Sequence, residues 1–245
     1  FLFFDTYVDK IRSPKYEIRN SRNVLDRWVA AKLEELTLEV TKRLDSYDIV
    51  GAARMLDTFV VDDFSNWYLR RSRRRFQRPT SAAEKDEAAR VMGYVLLRLS
   101  ELMAPFTPFL AEIIYQELKK KAGLKEESVH LREWPKVALR QAQGGSPLLA
   151  GMAEVRRLAA SALAERAKAG IRVRQPLQIL RIKKHEAGGK ELLTLLADEV
   201  NVKEVVVDPT IKGEVELDTT ITPELREEGL VRELVRNIQE MRRDA

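Results

Sequence analysis

Between Asn23 and Gly123 the chain repeats apolar residues at spacings of three and four, with no strand-like alternation to interrupt them. That period places each set on one face of an α-helix. About a hundred residues can therefore bury a core only by packing helix on helix. The first stripe is Leu25, Val29, Leu33, Leu36, Val40 and Leu44, and it stops near Ser46-Tyr47-Asp48, where Asp48 can cap the next helix. The second carries Ala52, Leu56, Val60, Phe64 and Trp67 and ends at Gln77-Arg78-Pro79-Thr80, because proline disfavours helix at the residue before it. Ser81-Ala82-Ala83-Glu84 has the spacing of a capping box and opens a third, with Ala88, Val91, Val95, Leu99 and Leu102 inside. After Ala104-Pro105-Phe106, Thr107 as cap and Pro108 as first residue start a fourth, with Ile113, Ile114 and Leu118 inside and Gly123 as its stop. Two of the four should run about 25 to 30 residues, or about 40 Å each. Short breaks between them predict an antiparallel bundle.

The remainder changes class. A leading segment, 1–22, holds Phe1-Leu2-Phe3-Phe4 and a Ser13-Pro14 turn and is expected to dock on the bundle, which occupies 23–123. Residues 124–145 form a connector: Val129 to Pro135 extended against the bundle with Trp134 as anchor, then a flexible joint at Gln141 to Gly145. From 146 to 245 the pattern is that of a smaller α+β domain, cut at its C-terminus. Ser146 and Pro147 open a helix with Leu149, Met152, Val155, Ala159 and Leu163 inside, ending at Gly170. Strands are expected at Leu177 to Lys184, Val202 to Val207 and Glu214 to Leu217, with a short helix from Glu191 to Val200 after a Gly188-Gly189 turn. A last helix begins at Thr222-Pro223 and carries Leu230, Leu234, Ile238 and Met241. The expected fold is mainly α, an antiparallel helix bundle followed by this α+β domain.

Composition narrows the chemistry. The chain has 245 residues, a net charge of +5, 33% charged residues and no cysteine, which excludes disulfides, thiolate nucleophiles and cysteine-held zinc. His130 and His185 are far apart without a helical mate, so no metal site is expected. No stretch approaches the roughly 18 apolar residues of a membrane span, and a hydrophobic content of 44% excludes a wholly disordered chain. Neither glycine-rich nucleotide loop is present, and no nucleophile–base–orienter set can be assembled, so no catalytic residue is assigned. The chain starts at Phe1 and stops inside a helical pattern, and is expected to be a piece of a longer soluble cytosolic protein.

One segment stands apart. Arg70, Arg71, Arg73, Arg74 and Arg75 put five guanidinium groups within six positions at the end of the second helix, just after Trp67 and Tyr68. Arginine used so consistently in place of lysine suits planar, bidentate contact with phosphate or carboxylate. The same charges also complement the helix dipole, and Asp62, Asp63 or Glu84 could pair with some of them. Trp67 and Tyr68 read first as core aromatics that support the arginines. Asp62 and Asp63 diverge by 100° and cannot flank one substrate atom. A second basic run, Arg166, Lys168, Arg172 and Arg174, then Arg181, Lys183 and Lys184, spans a helix-to-strand crossing. It suits either a solvated surface or a second contact for a long polyanion.

At these residues a resemblance appears. Val60-Val61-Asp62-Asp63 followed by Asn66 to Phe76 is similar to the signature in the helical anticodon-binding domain of isoleucyl-tRNA synthetases. Leu25-Asp26-Arg27-Trp28, Ala104-Pro105-Phe106-Thr107-Pro108-Phe109, Ser128 to Leu131 with Trp134-Pro135, and Ala169 to Leu177 resemble further runs of that family in the same order. The resemblance implies a part of a class I synthetase that grips the anticodon arm of isoleucine tRNA. Arg70, Arg71, Arg73, Arg74 and Arg75 would be the RNA contacts, Trp67 and Tyr68 their support, and Arg172 and Arg174 second choices. It implies ATP and magnesium for the parent enzyme, with no cofactor in this part; partners would be the tRNA and the parent's catalytic and editing domains, in a cytoplasmic monomer. Two alternatives are a structural bundle linking synthetase domains with little RNA contact, and the equivalent region of a valyl enzyme. Duplex-DNA binding is disfavoured, because no helix-turn-helix surrounds the basic run.

Overall fold

The structure, a computed structural model, describes residues 1–11, 21–137, 147–184 and 189–244. The Ser13-Pro14 turn, the Gln141 to Gly145 joint, the Ser146 cap, His185 and Gly188 lie outside the described residues. The backbone divides into two compact units, Phe1–Gly145 and Ser146–Ala245.

The first unit is the helix bundle. Its elements are α1 (Leu2–Tyr7), α2 (Val24–Asp45), α3 (Ile49–Thr58), a π-helical segment (Phe59–Leu69), α4 (Arg70–Gln77), α5 (Ala82–Met103) and α6 (Pro108–Ala122). Local chemistry sets the ends. Asn23 and Asp48 accept hydrogen bonds from the amides of Leu25 and Gly51, both at 2.9 Å. Gly123 closes α6 in the left-handed region at φ 64°, which a side chain would disfavour. Ser81 accepts from Glu84 N–H at 3.2 Å, but Glu84 reaches back past Ser81 to the Thr80 amide at 2.6 Å. Thr107, expected as a side-chain cap, forms no cap bond, and Pro108 at the first helical position starts α6. Only one helix is as long as expected, the uninterrupted run from Ile49 to Gln77; α2 and α5 have 22 residues each.

The core holds Trp28, Leu33, Tyr68, Met92, Leu102, Tyr115 and Leu118, all fully enclosed. Of the residues expected inside α6, Ile114 and Leu118 are buried but Ile113 is exposed, and Ala111 and Tyr115 complete the buried face. α1 is pinned through Phe4 and Ile11, whose side chains approach Gly93 of α5 so closely that a β-carbon there would sit 2.4 Å from Ile11 Cδ1. Past α6, Val129–Leu131 forms a single 3-10 turn where extended chain was expected. Trp134 is the anchor of this stretch: its indole N–H donates to Thr41 Oγ1 of α2 at 2.8 Å.

The second unit is the α+β part. α7 (Pro147–Lys168) and α8 (Lys190–Val200) pack against a sheet of three strands, β1 (Leu177–Ile182), β2 (Val202–Val207) and β3 (Val215–Leu217), in the order β2-β1-β3. β1 runs parallel to β2, with Leu177 beside Val202, and antiparallel to β3, with Leu180 beside Leu217. Leu177, Leu180 and Ile182 are buried with Leu192, Leu196 and Val200 of α8 and with Met152, Val155, Leu158, Ala159 and Ala162 of α7. Two corrections follow. The α7 stripe passes through Leu158 and Ala162, leaving Leu163 half-buried, and it continues into a buried Arg166. In α9 (Pro223–Asp244) the apolar residues keep helical spacing, yet Leu230, Leu234, Ile238 and Met241 are between 47 and 70% exposed.

Candidate nucleic-acid interface

The arginine-rich helix end is built on the π-helical segment. Bonding from i to i+5 widens each turn by about one residue, and such segments cluster at functional sites. Here the widening moves the buried face. A 3.6-residue period carries the stripe from Val60 and Phe64 to Trp67. The structure buries Phe59, Asp63, Phe64 and Tyr68, then Ser72, Arg75 and Phe76. Phe59, Phe64 and Tyr68 stack with nearly parallel rings, 6.4 and 5.8 Å between centroids. Trp67 is half-buried and lies under the Arg71 guanidinium at 5.0 Å, a cation–π contact.

The shift sends Arg75 into the interior. Its Nη1 and Nη2 donate to the two oxygens of Asp26 at 2.6 and 2.9 Å, and Asp26 is fully enclosed in α2. Tyr68 donates to Asp26 Oδ1 at 3.0 Å, and the Ser21 hydroxyl lies 2.9 Å from both Asp26 Oδ2 and Glu87 Oε1. One hydroxyl proton serves one of those carboxylates at a time. Burial, and then the charge of Asp26, push the Tyr68 hydroxyl well above its ordinary value, so it remains a donor. Burial would weaken the charge on Arg75, but the Asp26 hydrogen bonds and charge outweigh it and raise its value. The two parallel bonds offset part of the cost of burying the charges, while the Arg75 Nε is buried without a hydrogen-bond partner. Tyr68 and Arg75 accordingly fasten the π-helical segment and α4 to α2 from within, and they leave the set of residues able to meet an outside ligand.

The other arginines divide by exposure. Arg70, Arg73, Arg74 and Arg78 are exposed and Arg71 is half-buried. Arg70, Arg74 and Arg78 recur every fourth residue, about 6 Å apart along the axis, with the Arg78 amide still bonded to Arg74 O at 2.8 Å. Arg73 lies over the Phe3 ring of α1 at 5.8 Å, and Phe3 meets Phe76 edge-on. Of the acids expected as partners, Glu84 lies within the field of Arg75 and Arg74. Asp62 is exposed, Asp63 lies 3.8 Å from Lys32, and Glu84 holds Thr80. Sequence reasoning missed both Asp26 as the pairing carboxylate and Arg78 as a continuation of the row. The four-residue spacing from Arg70 through Arg74 was the signal for Arg78.

In the second unit, Arg172 and Arg174 are exposed on the loop between α7 and β1. Each lies near Glu233 of α9, at 3.5 and 3.6 Å. Arg166, by contrast, is completely buried and has no carboxylate partner among the described residues. Its Nη1 donates to the carbonyls of Arg172 and Gln175 at 3.1 and 2.9 Å, and its Nη2 to that of Asn201 at 2.8 Å. Burial pulls its value below the ordinary arginine range.

A helical bundle and an α+β unit in one chain, with a row of guanidinium groups at the end of one bundle helix, make an arrangement suited to a polyanion. Residues 26–181 match the family described as the anticodon-binding domain of tRNA ligases, and the chain belongs to that family. It is 37% identical to the isoleucine–tRNA ligase of Thermus thermophilus, a match covering 91% of this chain and 22% of that protein. It is 36% identical to the isoleucine–tRNA ligase of Dehalococcoides mccartyi over 99% of this chain and 26% of the relative. The corresponding ligase of Streptomyces avermitilis is 38% identical over 85% of this chain and 19% of that protein. The resemblance to isoleucyl-tRNA synthetases is thereby borne out. The chain spans about a quarter or less of the length of these relatives.

Proposed function

We propose that this chain is the tRNA-binding part of an isoleucyl-tRNA synthetase and grips the anticodon arm of isoleucine tRNA. The parent would be a cytoplasmic, monomeric enzyme that uses ATP and magnesium to load isoleucine, with catalytic and editing domains beyond this part. No described helix is long and apolar enough to cross a membrane. The observation that carries the reading is the exposed row Arg70, Arg74 and Arg78 with Arg73 beside it, held at the end of a helix whose buried face is fixed by Asp26 and Arg75. Phosphate contacts from such a row set register, while identity is read from unstacked anticodon bases.

The structural-bundle reading gains one observation, because Arg75 and Tyr68 face inward. A titration with isoleucine tRNA and an anticodon-swapped control at several salt concentrations separates the two. Three or four neutralised phosphates predict a slope of log affinity against log salt of about −2 to −4. Arg73→Ala with Arg74→Ala should make it shallower by about 1.5. An unchanged slope in that double variant removes the helix end from the RNA interface.

A further inference from the structure

The loop between α7 and β1 is built like a binding loop rather than a connection. Gly170 leaves α7 in the left-handed region, and Arg172 to Gln175 forms a turn closed by the Gln175 amide on Arg172 O at 3.0 Å. All four carbonyls of the turn accept side-chain hydrogen bonds. Arg166 takes those of Arg172 and Gln175. Asn201, itself left-handed at φ 57°, donates its amide to Val173 O and Arg174 O at 2.8 and 3.2 Å. Gln175 reaches the other way and donates to Leu225 O of α9 at 2.7 Å, against Gly229, where a β-carbon would sit 2.3 Å from the Gln175 Oε1 atom. The turn is fixed through its backbone, and the side chains of Arg172 and Arg174 are left outside.

Those side chains converge with a third on one anion. Arg172 Nη1 and Arg236 Nη1 lie 3.5 and 3.2 Å from Glu233 Oε1, and Arg174 Nη1 lies 3.6 Å from Glu233 Oε2. Arg236 is also bonded through its Nε to Glu240 at 2.6 Å, so three guanidinium groups from two elements face two carboxylates and still outnumber them in charge. Planar forks of this kind match a phosphate at least as well as a carboxylate. Such pairs near the surface are weakly held and easily exchanged.

We infer that Arg172, Arg174 and Arg236 form a second RNA-backbone phosphate site, which Glu233 occupies in the uncomplexed chain, and that Arg166 and Asn201 are the positioning residues that preform it. The inference rests on the tRNA-binding reading and adds a contact in the second unit, with an internal competitor for it. A phosphate entering the site displaces Glu233 towards solvent, and the turn need not rearrange because its carbonyls are already held. Preorganisation of this kind lowers the ordering cost of binding.

The test uses the full chain and isoleucine tRNA. Glu233→Gln removes the competitor but also one negative charge, so Glu204→Gln, an exposed acid on β2 of the same unit, serves as the charge-matched control. Glu233→Gln should tighten binding about two- to fivefold more than Glu204→Gln at low salt. The advantage should vanish in a chain that also carries Arg172→Ala and Arg174→Ala, and that pair alone should flatten the salt slope by about 1.5. Thermal melts confirm that each variant is folded. Equal effects of the Glu233 and Glu204 variants, or an advantage that persists without Arg172 and Arg174, overturn the inference. If Arg73→Ala with Arg74→Ala still flattens the slope, only the second site falls; if no variant in either unit moves it, the tRNA reading itself falls.

Discussion

Among the described residues each unit buries one arginine and exposes others beside it, and the two buried groups are held in opposite ways. Arg75 faces a carboxylate, with both oxygens of Asp26 meeting its fork and Tyr68 and Ser21 completing the acceptor. Arg166 faces only carbonyl dipoles, three of them, from Arg172, Gln175 and Asn201. The first arrangement joins α2 to α4 through residues 49 positions apart in sequence. The second organises a short loop close behind its own helix. A charge pair suits the joint between long elements, because Coulomb attraction tolerates small shifts of whole helices. Carbonyl capture is directional and fixes backbone, which is what a loop that displays side chains needs.

The comparison breaks most readily at Asp26. Asp26→Ala leaves the Arg75 cation buried without a partner, a defect that costs about 3–5 kcal/mol, read as a lower midpoint in urea. Replacing both residues by apolar ones, Asp26→Leu with Arg75→Met, should recover most of that loss, since the desolvation penalty of the pair disappears with it. A double variant as unstable as the single one would mean that the pair stabilises by more than charge compensation.

At Arg166 the expected loss is smaller. Arg166→Met removes the cation and leaves carbonyls rather than an opposite charge. Each unsatisfied acceptor costs about 1–3 kcal/mol when water cannot reach it, and those at the exposed turn can be rehydrated. A total of about 1–3 kcal/mol is expected, with faster amide exchange concentrated in Arg172 to Gln175. Uniform loss of protection through α7 and the sheet would show instead that Arg166 serves the core and that the turn is fixed by Asn201 and Gln175.

The same contrast explains what the sequence reveals. Helices, stops and strands follow from local period and caps, so α2, α5, β2 and the ends at Asp48, Pro108 and Gly123 are legible residue by residue. The π-helical segment carries no local mark: its i+5 bonding leaves composition unchanged, and a 3.6-residue period therefore places Trp67 where Tyr68 lies. The Asp26–Arg75 pair is tertiary, and neighbouring Asp62 and Asp63 offer a false local partner. Arg166 does sit in register, four residues after Ala162 on the α7 stripe, but its charge assigns it to the surface unless the stripe is given precedence over residue type. The α9 stripe teaches the converse, since spacing defines a face without supplying anything to cover it. Among the candidate RNA contacts, Arg70, Arg73, Arg74, Arg172 and Arg174 are exposed and Arg71 and Trp67 half-buried, while Tyr68 and Arg75 face inward.

The smallest effect separates the two anchors by pH. The chain after α4 is held by Glu84, which accepts from the Thr80 amide and hydroxyl at 2.6 and 2.7 Å. The amide bond chiefly, then the hydroxyl, hold its carboxyl below the ordinary 4.5, with Arg75 and Arg74 adding to the shift against weak burial. A depressed value in the folded state means stability that is fully present above the ordinary value and lost as pH falls through the folded one. The difference in stability between the parent chain and Glu84→Gln should therefore be constant from pH 7 to about 5 and shrink below about 4.5. Arg166 is held by carbonyls, which do not titrate, so the difference between the parent chain and Arg166→Met should stay flat across the same range. Parallel curves for the two variants in acid would mean that the turn at Arg172 also depends on a titrating group, and would move that loop into the charge-held class.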